Sequence, residues 1–366
     1  MKENILVVNH AAQTGGAERV LLNWLTQVAK DRFQVKVVLL AEGPLADSIK
    51  ELGFDVQIIP SGRIRHPQAL MKTISSLRHM IRQHEIQKVI SWSPKPHMYA
   101  GLAAWLESIP AMWWQHGVPA NTMFDKVISR IPAQAVLCPS EIVSAAQSRV
   151  RANPRTVVRY PGIVMEQFQL NPQVRALTRR ELGIESDTYV FAFIGRLQKW
   201  KRADVVIEAF YSSLRDRNAH LLIIGGSLFG VEEELEEELK KITLERGIAD
   251  NVHFLGHQSS IEPFLWASDA VVHSSINEPF GMVVVEAMAS GRLVLAVNSG
   301  GPSEIITHEA DGLLYDGSSA QLAGLMSDVL DRPNHYANVA KNGIKTVNDR
   351  FSASVMAGGI EKIVLA

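Results

Sequence analysis

The sequence has little that would cross-link the chain or carry it through a membrane. Cys138 is the only cysteine among 366 residues, so no disulfide framework exists and a reducing compartment is expected. No apolar stretch approaches the roughly 20 residues of a membrane span. The N-terminus turns polar after a short apolar run, which is too short for a signal peptide. We therefore expect a cytoplasmic protein, with at most a peripheral contact on that side of a membrane.

The sequence also lacks the Asp-x-Asp tripeptide typical of metal-dependent transferases and any tight cluster of aspartate and histidine. We therefore expect no metal and no other cofactor. The formal net charge is −1, so no nucleic-acid partner is expected. This balance hides an asymmetry, since residues 1–170 hold 19 Lys and Arg against 12 Asp and Glu, whereas the remainder holds 18 against 26. Halves of opposite sign indicate two domains with different partners.

Short runs rich in β-branched residues alternate with amphipathic stretches along the chain. In the first half, the predicted strands are 5–8, 35–40, 56–59, 88–91, 111–115 and 135–137. In the second half, they are 189–194, 221–224, 252–255, 270–272 and 293–297. Alternating strands and helices, twice over, predict an α/β protein with two doubly wound parallel sheets. Such folds bind ligands beyond the carboxyl ends of their strands, so the candidate residues are those that follow strands.

Two of these loops have features of anion-binding sites. Gly15 and Gly16 stand between the first strand and a helix, where glycine permits close approach and the helix N-terminus favours negative charge. By itself this pair fits a plain turn equally well. Arg196 and Lys201 follow the first strand of the second half. Two cations at that position suit a diphosphate, and the alternative is a solvated basic loop.

The stretch SSINEPFGMVVVEAMASG, residues 274–291, places two carboxylates in different settings. Pro279 biases Glu278 away from helical geometry, so Glu278 is predicted to lie in a loop. Glu286 lies within the apolar helix that follows, where an ionised carboxylate needs hydrogen-bond partners. Free main-chain N–H groups are expected at the start of this helix, at Phe280, Gly281 and Met282.

A cis-diol would satisfy Glu286, because two hydroxyl groups can donate to its two carboxylate oxygens. Together with the anion-binding loops, this pattern describes a nucleotide sugar, with Glu286 at the ribose and Glu278 at the donor sugar. Two alternatives stay open. Glu286 can pair with a core Arg or Lys, or the two glutamates can form the acid/base pair of a glycosidase, which leaves the basic loop unexplained.

The segment EPFGMVVVE resembles the E-x7-E motif of retaining glycosyltransferases with the GT-B fold, in particular family 4. Other family motifs are matched in order: TGGAERV resembles the N-terminal glycine loop, QHG the histidine loop, GRLQKWK the diphosphate loop and SGGPSE the G-G-x-x-E turn. The resemblance implies two Rossmann-like domains that face each other across a cleft. Residues 1–165, completed by a C-terminal helix at 351–366, would bind the acceptor, and residues 166–350 would bind the nucleotide-sugar donor.

The resemblance also implies residue roles. Arg196 and Lys201 would hold the diphosphate, and Glu278, with the backbone after it, would hold the sugar hydroxyls. Glu286 would hold the ribose. The residues with implied catalytic roles are His116, Glu278, Arg196 and Lys201, and the further donor contacts are Gly15, Gly16, Phe280, Gly281, Met282 and Glu286. One departure from the family pattern is Arg202, which stands where the family usually has glycine.

The implied activity is transfer of a sugar from a nucleotide diphosphate sugar, with a UDP-sugar favoured, to a hydroxyl of a saccharide or lipid-linked saccharide. The transfer would retain the anomeric configuration, need no metal, and serve polysaccharide or glycoconjugate biosynthesis. Two alternatives within the same fold are a nucleotide-sugar epimerase and a sugar-nucleotide-binding subunit without turnover.

The first half of the chain has two features that bear on the acceptor, its basic residues and its tryptophans. Basic residues in the first half indicate contact with an anionic membrane surface or a phosphorylated lipid, and the alternative is an ordinary solvated helix face. These residues include Arg63, Arg65, Lys72, Arg78 and Arg82. The tryptophans that could line a sugar or lipid site are Trp92, Trp105, Trp113 and Trp114, but Trp113 and Trp114 lie in a predicted strand and at least one of them must face the core.

Overall fold

The computed structural model describes residues 2–10, 15–62, 66–152, 155–214, 217–226 and 234–365. The chain divides into two compact units. Unit 1 comprises Met1–Ile163 together with Ala353–Ala366, and unit 2 comprises Val164–Ser352. Each unit is built on one parallel sheet, as the alternation of strands and helices predicts.

The sheet of unit 1 has seven strands: β1 (Glu3–Asn9), β2 (Phe33–Leu39), β3 (Asp55–Ile58), β4 (Lys88–Ser91), β5 (Ala111–Trp114), β6 (Ala135–Cys138) and β7 (Thr156–Val158). Their order is β3-β2-β1-β4-β5-β6-β7, and all neighbours are parallel. The helices between them are α1 (Gly16–Gln27), α2 (Leu45–Glu51), α3 (Pro67–Gln83), α4 (Pro94–Leu106), α5 (Met123–Ile128) and α6 (Glu141–Val150). The strand order reverses between β1 and β4, which is where doubly wound sheets bind ligands.

Most of the candidate tryptophans lie in the core of unit 1. Trp92, Trp113 and Trp114 are fully buried, because β5 and the residue after β4 lie in the centre of an apolar sheet. Trp105, near the end of α4, is 58% exposed. Three of the four tryptophans proposed to line a sugar or lipid site are therefore core residues.

The sheet of unit 2 has six parallel strands: β8 (Tyr189–Ile194), β9 (Ala219–Ile224), β10 (Val252–Phe254), β11 (Ala270–His273), β12 (Leu293–Val297) and β13 (Leu313–Tyr315). Their order, β10-β9-β8-β11-β12-β13, reverses between β8 and β11. The helices are α7 (Pro172–Glu181), α8 (Ala203–Leu214), α9 (Leu235–Glu245), α10 (Glu262–Ala267), α11 (Met282–Ala289), α12 (Pro302–Ile305), α13 (Ser319–Asp331) and α14 (Pro333–Phe351). Short 3₁₀ turns occupy Met165–Phe168, Lys199–Lys201 and Ala249–Asn251.

The last helix, α15 (Ala353–Val364), belongs to unit 1. The Ala353 N–H donates to the Ile163 carbonyl at 2.7 Å, and Nε of Arg159 donates to the Gly359 carbonyl at 3.0 Å. The helix predicted for residues 351–366 begins too early, because Phe351 ends α14 and Ser352 is extended. In the part of the chain that the structure describes, no helix has both the length and the hydropathy to cross a membrane.

Candidate active site

Two loops bring the candidate residues of the second half to one edge of unit 2. Arg196 lies just beyond β8, Lys201 ends the 3₁₀ turn on the same loop, and Glu278 lies on the loop after β11. The carboxyl ends of parallel strands share one edge of a sheet. Because β8 and β11 are also neighbours at the point where the strand order reverses, their loops can meet there.

Lys201 and Glu278 form an ion pair at this edge. The Nζ atom of Lys201 lies 2.6 Å from Oε2 of Glu278, and the same oxygen lies 3.3 Å from Nε2 of His273. The side chains of Lys201 and Glu278 are only 16% and 14% exposed. The Lys201 ammonium also lies 4.1 Å from the centroid of the Trp200 ring. The residues predicted to hold the diphosphate and the donor sugar therefore contact each other.

The environment of Glu278 keeps its carboxylate charged. Burial by itself would raise the pKa, but the hydrogen bond from His273 and the charge of Lys201 outweigh burial and lower the pKa of Glu278 to about 2. A carboxylate in this state accepts hydrogen bonds from hydroxyl groups and does not supply a proton near neutral pH. This argues against Glu278 as the general acid of a glycosidase, which needs a raised pKa.

Two residues with no role predicted from the sequence hold this pair in place. His273, the last residue of β11, is buried and contacts the Glu278 carboxylate. The buried hydroxyl of Ser274 donates to the Lys201 carbonyl at 2.7 Å and lies 3.0 Å from that of Arg202. Both residues stand where a strand ends, and this position is the signal that could have identified them.

The remaining cations of the basic loop differ in their settings. Arg196 is exposed and forms no ion pair with another described residue, so it can reach an anion without breaking such a pair. Arg202 has a left-handed main chain, with φ of 58° and ψ of 45°. Glycine adopts this conformation at no steric cost, whereas a residue with a Cβ pays about 1–2 kcal/mol. The departure from the family pattern at this position therefore places an arginine in a glycine conformation.

The glycine turn after β12 packs against the Glu278 loop. The Gly301 N–H donates to the Glu278 carbonyl at 2.8 Å. A Cβ atom at Gly301 would lie 2.1 Å from the Phe280 carbonyl oxygen, and one at Gly300 would lie 2.5 Å from the Glu278 carbonyl oxygen. Only glycine fits at these positions, so the turn acts as a support for the backbone of the loop.

Helix α11 begins at Met282, directly after this loop. Its N-cap residue, Gly281, has φ of 105°, which favours glycine. Phe280 is buried and packs edge-on against Phe351 at 5.8 Å, so only its main chain is available to a ligand. Glu286 is buried within the helix. The roles proposed for these residues at the donor stay predictions.

The main chain of the glycine loop in unit 1 is already hydrogen-bonded to a carboxylate, that of Glu18. Gly15 is the N-cap of α1, and its N–H donates to Oε2 of Glu18 at 3.1 Å. The other oxygen of Glu18 accepts from Nδ2 of Asn9 at 3.3 Å. A Cβ atom at Gly16 would meet nothing within 4 Å, so the backbone there is open to close approach. The predicted diphosphate contact therefore falls more naturally on Gly16 than on Gly15.

His116 follows β5 and stacks on the tryptophan core. Its ring lies 5.1 Å from the Trp114 ring at an interplanar angle of 15°, and 6.1 Å from the Trp92 ring. Nε2 is buried and has no hydrogen-bond partner among the described residues. Burial lowers the pKa of His116 to about 4, with a main-chain contact at Trp92 acting in the opposite direction. The imidazole is therefore neutral at pH 7.

The basic segment of unit 1 is partly neutralised. Nε of Arg78 and Nε of Arg82 each lie 2.6 Å from an oxygen of Glu107, which caps α4. Arg63 and Arg65 lie outside the described residues. One carboxylate thus offsets half of the charge that α3 contributes through these two arginines, and the basic face is weaker than the sequence suggests.

A metal centre has no candidate among the described residues, since no three His, Cys, Asp or Glu side chains are grouped to hold an ion. The positive charge beside Glu278 comes from Lys201.

Two family models match the chain. The model described as Glycosyltransferase Family 4 matches residues 14–167, and the model described as Glycosyl transferases group 1 matches residues 174–346. Together they cover most of both units. The resemblance inferred from the sequence motifs is therefore confirmed.

Individual relatives agree with these matches. The chain is 29% identical to a D-inositol 3-phosphate glycosyltransferase of Corynebacterium urealyticum, over 86% of this chain and 83% of that protein. It is 33% identical to the lipopolysaccharide core biosynthesis glycosyltransferase LpsD of Rhizobium meliloti, over 48% of this chain and 49% of LpsD. The crystal structure of Anabaena HepE in complex with UDP-glucose superposes with a TM-score of 0.86 at 24% identity, over 99% of each chain. This likeness shows the fold. The chain therefore belongs to the family 4 glycosyltransferases and has the GT-B fold.

Proposed function

We propose that the protein is a retaining, metal-independent glycosyltransferase whose donor is a UDP-sugar and whose acceptor is a hydroxyl of a saccharide or lipid-linked saccharide. The observation that carries the proposal is the contact between Lys201 and Glu278 at the strand edge of unit 2. A cation suited to phosphate and a carboxylate suited to sugar hydroxyls stand 2.6 Å apart, so adjoining groups of one donor molecule can reach both. The structures of Anabaena HepE with UDP and with UDP-glucose support the choice of UDP.

The ion pair gives each residue a defined task. When the diphosphate binds, Lys201 exchanges the Glu278 carboxylate for phosphate oxygens, and exposed Arg196 adds a second cation. The charge that develops on the leaving diphosphate is then stabilised by groups that the loop already holds in place. Glu278, still bonded to His273, accepts hydrogen bonds from the sugar hydroxyls.

The chemical step needs no protein nucleophile. The bond between the anomeric carbon and the phosphate oxygen breaks, and the electron pair leaves with the nucleoside diphosphate. The acceptor oxygen bonds to the same face of the carbon, and its proton passes to the departing phosphate oxygen, which retains the configuration. Neutral His116 suits a contact near the reacting carbon, because it does not repel the positive charge that develops there.

The test is incubation of the purified protein with a panel of nucleotide sugars. We expect slow release of free UDP from one UDP-sugar without an acceptor, and faster release when an acceptor is present. An epimerase would change the sugar without needing an acceptor, and a binding subunit would give no product. Absence of release from every donor, with and without saccharide or lipid-linked acceptors, would contradict the proposal.

For the acceptor, we propose a peripheral contact of unit 1 with an anionic membrane near the C-terminal end of α4. Support comes from Trp105, which is 58% exposed and lies two residues before Glu107, the carboxylate that pairs with Arg78 and Arg82. Binding to anionic vesicles should fall with rising salt and in the variant Trp105→Ala. If the wild type does not bind at low salt, a saccharide acceptor in solution is favoured.

A further inference from the structure

A cavity of about 800 Å³ opens at the edge of unit 2 opposite Lys201 and Glu278. Its lining includes Tyr189 and Leu293, the first residues of β8 and β12, whereas the candidate active site follows the last residues of β8 and β11. The volume is within the usual range of small-molecule sites. Every residue that lines this cavity belongs to unit 2. The cavity is thus a feature of this unit alone and is separate from the candidate active site.

The wall of the cavity holds three arginines around one carboxylate. Nη2 of Arg175 lies 2.6 Å from Oδ1 of Asp269, and Nη2 of Arg179 lies 2.7 Å from Oδ2. Arg292 completes the group, and its Nε and Nη1 donate to the carbonyls of Ser290 and Ser268 at 3.0 and 2.9 Å. No carboxylate of a described residue lies within 4.0 Å of the Arg292 guanidinium. We call this space the arginine cavity.

Two of the arginines are also paired with Asp269 and hold main-chain segments together. Arg179 is buried, and it donates to the carbonyls of Ala267 and Thr188 at 2.8 and 2.9 Å, so it fixes α7 to the start of the sheet. Arg175 donates to the Ser268 carbonyl at 2.7 Å and serves the same purpose. These bonds and Asp269 account for the whole Arg179 side chain and for the two terminal nitrogens of Arg175.

Arg292 adds a positive charge to a group that is already positive. Burial, followed by repulsion from Arg175, lowers the pKa of Arg292 to about 10. The surroundings of Arg292 therefore disfavour its charged form. Glu166, Asp187 and Lys341 also line the cavity, but all three are exposed to solvent, which screens them. The inner wall therefore retains a net charge of +2, from three guanidinium groups and one carboxylate.

We propose that the arginine cavity binds a small molecule with a phosphate group, either inorganic phosphate or a phosphorylated sugar, through Arg292 and Arg175. A phosphate carries about −1.5 to −2 charges at pH 7, which balances the inner wall, whereas one carboxylate would leave it positive. Planar guanidinium groups match phosphate oxygens with paired N–H donors. A phosphorylated sugar would also use the polar lining and the remaining volume.

The experiment must separate this cavity from the diphosphate loop, which also attracts phosphate. Calorimetric titrations with inorganic phosphate and with glucose 6-phosphate are therefore made on the full chain in the Lys201→Ala background. We expect binding in Lys201→Ala, weakened about tenfold or more in Lys201→Ala/Arg292→Gln. The matched control is Lys201→Ala/Arg246→Gln, which removes an arginine that pairs with Glu208 elsewhere on unit 2 and should bind like the background.

The two ligands distinguish the two sources of phosphate. Tighter binding of glucose 6-phosphate assigns the cavity to a phosphorylated sugar, and equal binding assigns it to phosphate itself. Equal affinity in the Arg292→Gln and Arg246→Gln double variants, or no binding to the Lys201→Ala background, would overturn the proposal. Thermal unfolding of each variant, and the conservative change Arg292→Lys, show whether a loss of binding reflects loss of the fold. Failure of the UDP-sugar assay would leave this result unaffected.

Discussion

His116 of unit 1 and Glu278 of unit 2 both follow a buried strand, and both have a lowered pKa, but the causes are opposite. For His116 the cause is burial against Trp114 and Trp92, which disfavours the charged ring and leaves it neutral. For Glu278 burial acts the other way, and His273 and Lys201 overcome it and keep the carboxylate charged. The same direction of shift thus gives a neutral group in one unit and a fixed ion in the other.

The difference shows that the net charge of a region does not predict the charge at its site. The second half of the chain is the acidic half, yet its candidate site contains the cations Arg196 and Lys201. The first half is basic, yet its candidate residue is a neutral histidine within an aromatic cluster. Long-range attraction depends on the sum of charges, whereas a pKa depends on burial and on the few groups close to the titrating atom.

The largest expected effect comes from removing the Lys201 cation from the candidate active site of unit 2. Lys201→Ala should lower the turnover of the UDP-sugar by about 10²–10³-fold, because the developing charge on the diphosphate loses a positioned partner. Steady-state release of UDP measures this effect. The control is Lys199→Ala, which removes an exposed lysine from the same loop. Equal losses in both variants would show that the loop contributes only general positive charge.

The next effect tests whether His116 is neutral because it is buried. Its pKa is lowered from 6.5 to about 4, so the unfolded chain takes up a proton before the folded chain as the pH falls. Stability should therefore drop between pH 6.5 and pH 4, by about 3 kcal/mol from this residue. Urea unfolding at several pH values, followed by tryptophan fluorescence, should show a smaller drop in His116→Gln. Exposed His79→Gln is the control, and identical curves for the two variants would contradict the comparison.

A smaller effect separates the two glutamates of unit 2. Glu278→Gln releases Lys201 from its ion pair, so the affinity for free UDP should hold or rise, while that for the UDP-sugar falls. Glu286→Gln should weaken both ligands by about 1–2 kcal/mol, because it acts at the ribose. Calorimetric titration with both ligands measures these affinities. If the two variants lose affinity in parallel, the division of roles between the glutamates is wrong.

The smallest effect concerns the backbone of the basic loop. Arg202→Gly should raise the stability of unit 2 relative to Arg202→Ala by about 1 kcal/mol, because both variants lose the side chain and only glycine relieves the left-handed conformation. Thermal unfolding of the two variants gives the difference. Equal stability would show that the surrounding contacts, such as the Ser274 hydroxyl on the Arg202 carbonyl, already compensate the strain.

Most strands could be predicted from the sequence, and two of the shortest could not. The predicted strands at 189–194 and 293–297 agree with β8 and β12 to the residue, because near-continuous apolar runs identify strands buried on both faces. β7 and β13 are absent from the prediction. Each has three residues, which is too short to show a hydrophobic period, whereas β10 is equally short but lies within the apolar run predicted at 252–255.

The sequence by itself determined the family, the alternation of strands and helices, and which loops carry chemically capable residues, because these features depend on local composition and on motif order. Only the tertiary structure decided which groups meet. Lys201 reaches Glu278 across 77 positions and Arg78 reaches Glu107 across 29, while three of the four candidate tryptophans lie in the core and Trp105 stays exposed. Strand order across a sheet sets these partnerships. A pKa or an ion pair depends on distances of a few ångströms, which residue spacing along the chain does not encode.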